Sequence, residues 1–138
     1  MPSSRTVRKL CDVRDLMRDC YQESLTLQSL SLEAELSAWH FLRAFRDAFG
    51  ETPHEFLTKL RIDHAKRLLA RDQLPVTEVC FAVGYESLGS FSTLFRTMVG
   101  YSPAAYQRAI RRIFPVPKIA VYRFIPSCYL VKHGIAPF

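Results

Sequence analysis

The sequence predicts an all-α protein: two small helical lobes joined by one long helix, followed by an extended C-terminal tail. Three observations predict it. The chain repeats itself at an offset of fifty residues. Phe41, Phe45, Arg46, Gly50, Pro53 and Phe56 recur as Phe91, Phe95, Arg96, Gly100, Pro103 and Tyr106, while Ser37 recurs as Ser87 and Thr52 as Ser102. Apolar residues in both copies fall at three- and four-residue steps, the spacing of one buried helix face. Each copy also ends on a glycine followed by a Thr-Pro or Ser-Pro restart, which stops one helix and begins the next.

With 138 residues, 49% hydrophobic and 23% charged, the chain has the makeup of a globular protein, long enough for one domain or two small lobes. Its net charge of +6 favours a polyanionic partner. A duplicated device in a basic chain suits a target that itself repeats, and duplex DNA, whose major groove recurs every turn, is the candidate. Cys11, Cys20, Cys80 and Cys128 are far apart and form no C-x-x-C pair, which fits free thiols in a reducing compartment rather than disulfides or zinc. No apolar h-region follows Met1, and no apolar run reaches the ~18 residues of a membrane span. A soluble cytoplasmic protein without membrane association is expected.

The elements follow in order. From about Thr6 to Tyr21, Val7, Leu10, Cys11, Val13, Leu16, Met17 and Cys20 share one helix face. Thr26 can cap a short helix over Leu27 to Ala34. Glu35 and Leu36 make a turn, and Ser37 caps a helix to Phe49 with Ala38, Phe41, Leu42, Phe45 and Phe49 inward. Helix, tight turn, helix is a helix-turn-helix candidate. Thr52-Pro53-His54-Glu55 starts the long helix, with Thr52 as cap and Glu55 completing a capping box. Running to about Ala70, it spans roughly 27 Å at 1.5 Å per residue, a length suited to spacing two lobes.

Asp72 to Pro75 breaks it. Val76 to Val83 is short and helical, Gly84-Tyr85-Glu86 is the second turn, and Ser87 begins a helix to Val99 with Phe91, Leu94, Phe95 and Met98 inward. Ser102-Pro103 opens the last helix, to Ile113. Beyond it, Pro115, Pro117, Pro126 and Pro137 rule out a long helix, and the Ile-, Val-, Tyr- and Phe-rich stretch from Lys118 to Val131 fits a strand or packing arm. The expected organisation is an N-terminal helix over 1–24 packing on the first lobe, a body over 25–113 and an apolar, Pro-interrupted tail over 114–138. Within the body, lobe one covers about 25–51, the linker helix about 53–70 and lobe two about 75–113.

The stretch from about Leu25 to Arg112 resembles the DNA-binding domain of the AraC/XylS family of bacterial transcription regulators. The residues that carry the likeness are SAWHFLRAFRDAFGETPHEFL, LRIDHAKRLLA and VTEVCFAVGYESLGSFSTLFRTMVGYSPAAY. The most diagnostic are the G-Y-E-S turn and the F-x-x-x-F-R-x-x-x-G-x-S-P ending. The resemblance implies two helix-turn-helix lobes whose second helices enter adjacent major grooves of double-stranded DNA. In lobe one the matching contact positions are Ala38, Trp39, Leu42 and Arg43, with Arg46 a turn further on. Arg43 is the base reader, since a guanidinium can fork onto guanine O6 and N7. Trp39 is either a core tryptophan or an apolar face for thymine, and because Phe41 and Phe45 already fill the inner side, exposure is expected. Arg46 suits a phosphate or an ion pair with Asp47, and His40 a phosphate or plain solvent.

In lobe two the matching positions are Leu88, Gly89, Ser90 and Thr93, which carry no charge and discriminate bases poorly, while Ser87 and Arg96 suit phosphates. Lobe one is therefore expected to specify sequence and lobe two to anchor. On the linker helix Arg61 matches the backbone-facing position, whereas Lys66, Arg67 and Arg71 read as solubilising charges. Two residues depart from the family pattern: Glu35 stands where the first turn usually carries glycine, and Leu42 where polar side chains are common.

No enzyme, cofactor or metal is expected. There is no phosphate-cradling glycine loop, no His-Glu-x-x-His and no paired-carboxylate pattern, and the cysteines that could pair with a histidine sit in apolar settings. Only about 25 residues precede lobe one, too few for a sensor domain, so the chain reads as a stand-alone regulator acting at the nucleoid, with RNA polymerase as a possible partner. A protein-interaction or split-gene partner module that binds DNA only weakly is the alternative. The internal duplication lets a monomer suffice, with a dimer left open.

Overall fold

The computed structural model describes residues 2–71 and 74–113, and every regular element among them is helical. The helices are α1 (Ser4–Asp19), α2 (Leu27–Glu33), α3 (Ala38–Phe49), α4 (Pro53–Arg71), α5 (Val76–Ala82), α6 (Leu88–Val99) and α7 (Pro103–Ile113). The expected strand or arm over Lys118 to Val131, and Cys128 with it, lie outside the described residues. The chain divides into two compact units between Arg61 and Ile62, so α4 contributes residues to each. No described helix is long and apolar enough to cross a membrane.

The first unit is built around one aromatic hub. Phe45 is fully buried, and its ring lies 5.7 Å from that of Phe41, 4.7 Å from Phe49 and 5.8 Å from Phe56. Leu10, Val13 and Met17 from α1, Leu30 and Ala34 from the α2 region, and Leu57 from α4 close the core around these rings. Tilted and edge-on ring pairs at these separations add to the burial of the ring area itself. Two arginines of α1 lie over rings at the border of this core: Arg14 over Phe49 at 4.9 Å and Arg18 over Phe56 at 5.8 Å. Burying their stems on aromatic faces lets a basic helix pack tightly. Val7, by contrast, is exposed at the start of α1. The helix begins two residues earlier than its apolar pattern suggests, because Ser3 caps it by accepting from the Thr6 N–H at 3.2 Å.

The second unit repeats the plan with the second copy of the residues. Phe91 and Phe95 stand 5.8 Å apart, and Phe95 meets Tyr106 edge-on at 5.5 Å. These values match the Phe41–Phe45 and Phe45–Phe56 pairs, so the sequence repeat is a packing repeat. Ile62, Ala65, Leu69, Val79, Cys80, Val83, Val99 and Ile110 are also buried. Met98 is exposed and Val99 takes the inward place, since the phase set by Phe91 and Phe95 carries inward to 99. Helix ends repeat as well. Gly50 and Gly100 are left-handed, at φ 76 and φ 93, and each donates its N–H to a carbonyl four residues back. That conformation is easiest for glycine.

The start of α4 carries the expected capping box. Thr52 accepts from the Glu55 N–H at 3.2 Å, and Glu55 accepts from the Thr52 N–H at 2.9 Å. This backbone bond is the main reason the Glu55 carboxyl titrates below its ordinary value. A depressed folded-state pKa makes its stabilisation complete above the ordinary glutamate value of about 4.3 and lost as pH falls through the folded value. Glu55→Ala should therefore lower Tm at pH 7, and the gap to wild type should close below about pH 4. Thermal melts across pH 3–7 check this.

Candidate nucleic-acid interface

In the first unit α2, a tight turn and α3 form helix, turn, helix. Ser37 stands just outside α3 and accepts from the His40 N–H at 3.2 Å, which fixes the helix start and hence the phase of every side chain on it. With Phe41, Ala44 and Phe45 turned inward, Trp39, Arg43 and Arg46 share the opposite face at i, i+4 and i+7. All three are exposed, Trp39 by 66%, so the indole is no core residue. The Arg43 guanidinium lies over it, 4.8 Å from the ring centroid. His40 is exposed next to this face, and among the described residues no ion pair joins Arg46 to Asp47.

Leu42 has a different setting. It is half-buried and helps line an apolar cleft of about 400 Å³ with Leu25, Leu27, Leu30, Pro53 and Leu57. An apolar residue here suits that cleft, which accounts for its departure from the polar pattern. Arg61 is also redirected. Its Nε donates to the Tyr21 carbonyl at 2.7 Å and its guanidinium to the Glu23 carbonyl at 2.8 Å, so it clamps the loop between α1 and α2 instead of waiting for phosphate. Lys66 is no solubilising charge: it is only 4% exposed, lies 4.0 Å from Asp63, and burial lowers its pKa. Arg67 and Arg71 are exposed.

The two turns share one hydrogen-bond pattern. Leu36 N–H donates to the Ser31 carbonyl and Glu35 N–H to Leu32, as Tyr85 N–H does to Cys80 and Gly84 N–H to Phe81. The second turn then holds one more residue, Glu86, before its serine cap. Both turns need a left-handed residue. Gly84 supplies it at φ 95, but the first turn forces Glu35 to φ 55, a conformation that costs a side-chain-bearing residue free energy. The Glu35 carboxylate is paired with Lys9 of α1, whose hydrogen bond and charge hold it below the ordinary carboxylate value. The acid near the recognition face is thus partly neutralised from within.

In the second unit Ser87 accepts from the Ser90 N–H at 3.3 Å and starts α6. Leu88, Gly89, Ser90 and Thr93 are exposed. The Thr93 hydroxyl donates to the Gly89 carbonyl at 3.0 Å, which leaves it acceptor and methyl chemistry outward. No side chain on this part of α6 is charged until Arg96, which is exposed a turn further on. The sequence reading overlooked Arg108, Arg111 and Arg112, exposed on α7 opposite the buried Pro103, Tyr106 and Ile110. Their signal was there in the i, i+3 and i+4 spacing of the arginines behind the apolar set.

Among the described residues no group of three or more His, Cys, Asp and Glu side chains is disposed to hold a metal. Cys11, Cys20 and Cys80 are free thiols, and burial raises the pKa of Cys80.

A model of the helix-turn-helix domain matches residues 30–109, more than half of the chain. The DNA-binding domain of AdpA, a global transcriptional factor solved with a target DNA, superposes with a TM-score of 0.75 at 32% identity, over 78% of this chain and 96% of that domain. The chain belongs to the AraC-type helix-turn-helix family. The C-terminal domain of AraT, a response regulator from Geobacillus stearothermophilus, has a TM-score of 0.69 at 31% identity over 75% of this chain and 84% of that one. Among curated relatives, the probable transcriptional regulator LumQ of Photobacterium leiognathi is 38% identical over 90 residues, 65% of this chain and 36% of LumQ. The transcriptional activator RclR of Escherichia coli is 38% identical over 90 residues, 65% of this chain and 32% of its own length. The chain therefore spans about a third of the length of these relatives. The all-α fold with paired helix-turn-helix elements is the AraC-type fold.

Glycine at position 35 would remove a Cβ from a left-handed backbone. Glu35→Gly should raise Tm by about 2–6 °C. Thermal unfolding measures it; an unchanged Tm would show that the Lys9 pair balances the backbone strain, and a lower one that the pair outweighs it.

Proposed function

We propose that this chain binds double-stranded DNA sequence-specifically, with α3 and α6 each entering a major groove, and regulates transcription in the bacterial cytoplasm at the nucleoid. The observation that carries the reading is the exposed face of α3. A tryptophan and two arginines stand exposed in a row on a helix whose other side is locked by phenylalanine rings, and among the described residues neither arginine makes an ion pair. AdpA, whose domain shares this fold, was solved with its DNA. On this reading Arg43 reads a guanine edge in the groove with Trp39 beside it, and Arg46, His40 and Ser37 hold phosphates. On α6, Ser90, Thr93, Leu88 and Gly89 meet the bases with little discrimination, and Ser87 and Arg96 grip the backbone. Arg108, Arg111 and Arg112 add charge toward the polyanion. The protein acts without catalysis or cofactor and as a monomer. Contact with RNA polymerase belongs to the same reading, and Leu32 and Phe81, exposed at equivalent places before the two turns, offer apolar surface for it.

Selection of preferred sites from a random duplex pool tests the reading. It should return two blocks of preference, with the α3 block carrying more information. Equal information in both blocks would refute the division of labour, and no preference at all would refute the function. Salt titration separates the cations. Arg46→Ala and Arg96→Ala should each reduce the log–log salt slope by about 0.9. Arg61→Ala should leave that slope unchanged while lowering the unfolding midpoint, because its partners are carbonyls of its own chain.

A further inference from the structure

We propose that Trp39 is a positioning residue for Arg43: its indole face holds the guanidinium outward from α3, so that guanine preference at one base pair belongs to the Trp39–Arg43 pair rather than to Arg43 alone. The inference rests on the DNA-binding reading above and deepens it.

Three features of α3 lead there. The guanidinium carbon sits 4.8 Å from the centre of the indole ring, within the range of a cation held by the negative π face. The spacing is i, i+4, which places Trp39 one turn toward the N-terminus and on the same face. Asp47 stands one turn the other way from Arg43 and is also exposed, yet among the described residues Arg43 makes no ion pair. A π face is not a conventional acceptor, so the contact orders the side chain without committing its N–H donors to a protein oxygen. A carboxylate partner would have used the same fork that guanine O6 and N7 require.

A free arginine on a helix surface samples many rotamers, and freezing them at the moment of binding opposes affinity. The stack removes part of that cost beforehand. An exposed cation–arene contact of this kind is worth about twofold to fivefold in an equilibrium constant. A methyl-contact role for Trp39 predicts something else: any large apolar side chain would serve, and its loss would be felt at a thymine, independently of Arg43. Trp39 is two-thirds exposed, so its replacement leaves the Phe41–Phe45 core untouched.

The test is a double-mutant cycle on the selected duplex and on the same duplex with the Arg43-dependent G·C pair replaced by A·T. Arg43→Ala identifies that pair by abolishing its discrimination. Trp39→Leu and Trp39→Ala should each lower discrimination at the same pair, and affinity for the selected duplex, by about twofold to fivefold, Trp39→Phe should restore most of both, and in the Arg43→Ala background none of the three should lower affinity for the selected duplex further. Full discrimination in Trp39→Leu, or additive losses in the double variant, would overturn the positioning role and leave the interface standing. Arg43→Ala without loss of discrimination at any pair would overturn the base-reading assignment itself, and this proposal with it.

Discussion

Everything exposed on α3 and α6 is placed by what is buried beneath them. A pair of phenylalanines one turn apart, Phe41 with Phe45 and Phe91 with Phe95, fixes the rotation of α3 and α6 about their axes. A helix has one rotational degree of freedom on its core, and two large rings four residues apart remove it. Once the rings are inside, Trp39, Arg43 and Arg46 have only the outer side left, and so have Ser90, Thr93 and Arg96. Phe56 and Tyr106 complete each hub from the next helix, which ties the exit of the reading helix to the element that follows. The make-up of the outer face is in this sense a consequence of hydrophobic burial on the inside.

The ends of the helices work with the rings. Serine caps at 37 and 87 set the first turn, and left-handed glycines at 50 and 100 set the last. Between cap and stop each reading helix has twelve residues, enough for one face to anchor and one to contact. The connecting turns are where the copies diverge. The second uses glycine and has an additional residue, while the first places a glutamate in the same left-handed conformation and answers its charge with Lys9. The N-terminal helix therefore supports the first recognition element twice, by burying Leu10, Val13 and Met17 and by neutralising an acid at the turn.

The duplication kept the scaffold and changed the face. Lobe one presents an arene and two cations, whereas lobe two presents small neutral groups with one cation behind them. Forked and cationic donors discriminate base edges, while hydroxyls, a methyl and bare backbone mostly allow close approach. A chain with two equal scaffolds and unequal faces can divide its labour between recognition and grip. The redirected arginine at 61 fits the same economy, since holding the loop between α1 and α2 keeps the support beneath the stronger face in place.

The repeat, the caps, the stops and the ring positions were legible in the residues, because each rests on local rules: a glycine ends a helix, a serine or threonine begins one, and apolar residues at helical spacing mark its inner side. The row Trp39, Arg43, Arg46 came from the family resemblance, with the inward Phe41 and Phe45 already turning Trp39 outward. The destinations of single long side chains were not legible. Arg61 and Lys66 read as contact or surface residues, yet one clamps a carbonyl forty residues earlier in the chain and the other is buried. Met98 and Val99 exchanged roles because the four-residue step from Phe91 and Phe95 falls on 99, a phase the residues already carried. The sequence by itself determined the helices, their order and the sides they bury, all of which depend on interactions within a few residues. Only the tertiary structure decided which cations are committed and which remain available, because that depends on oxygens and rings brought close by folding and distant in the chain.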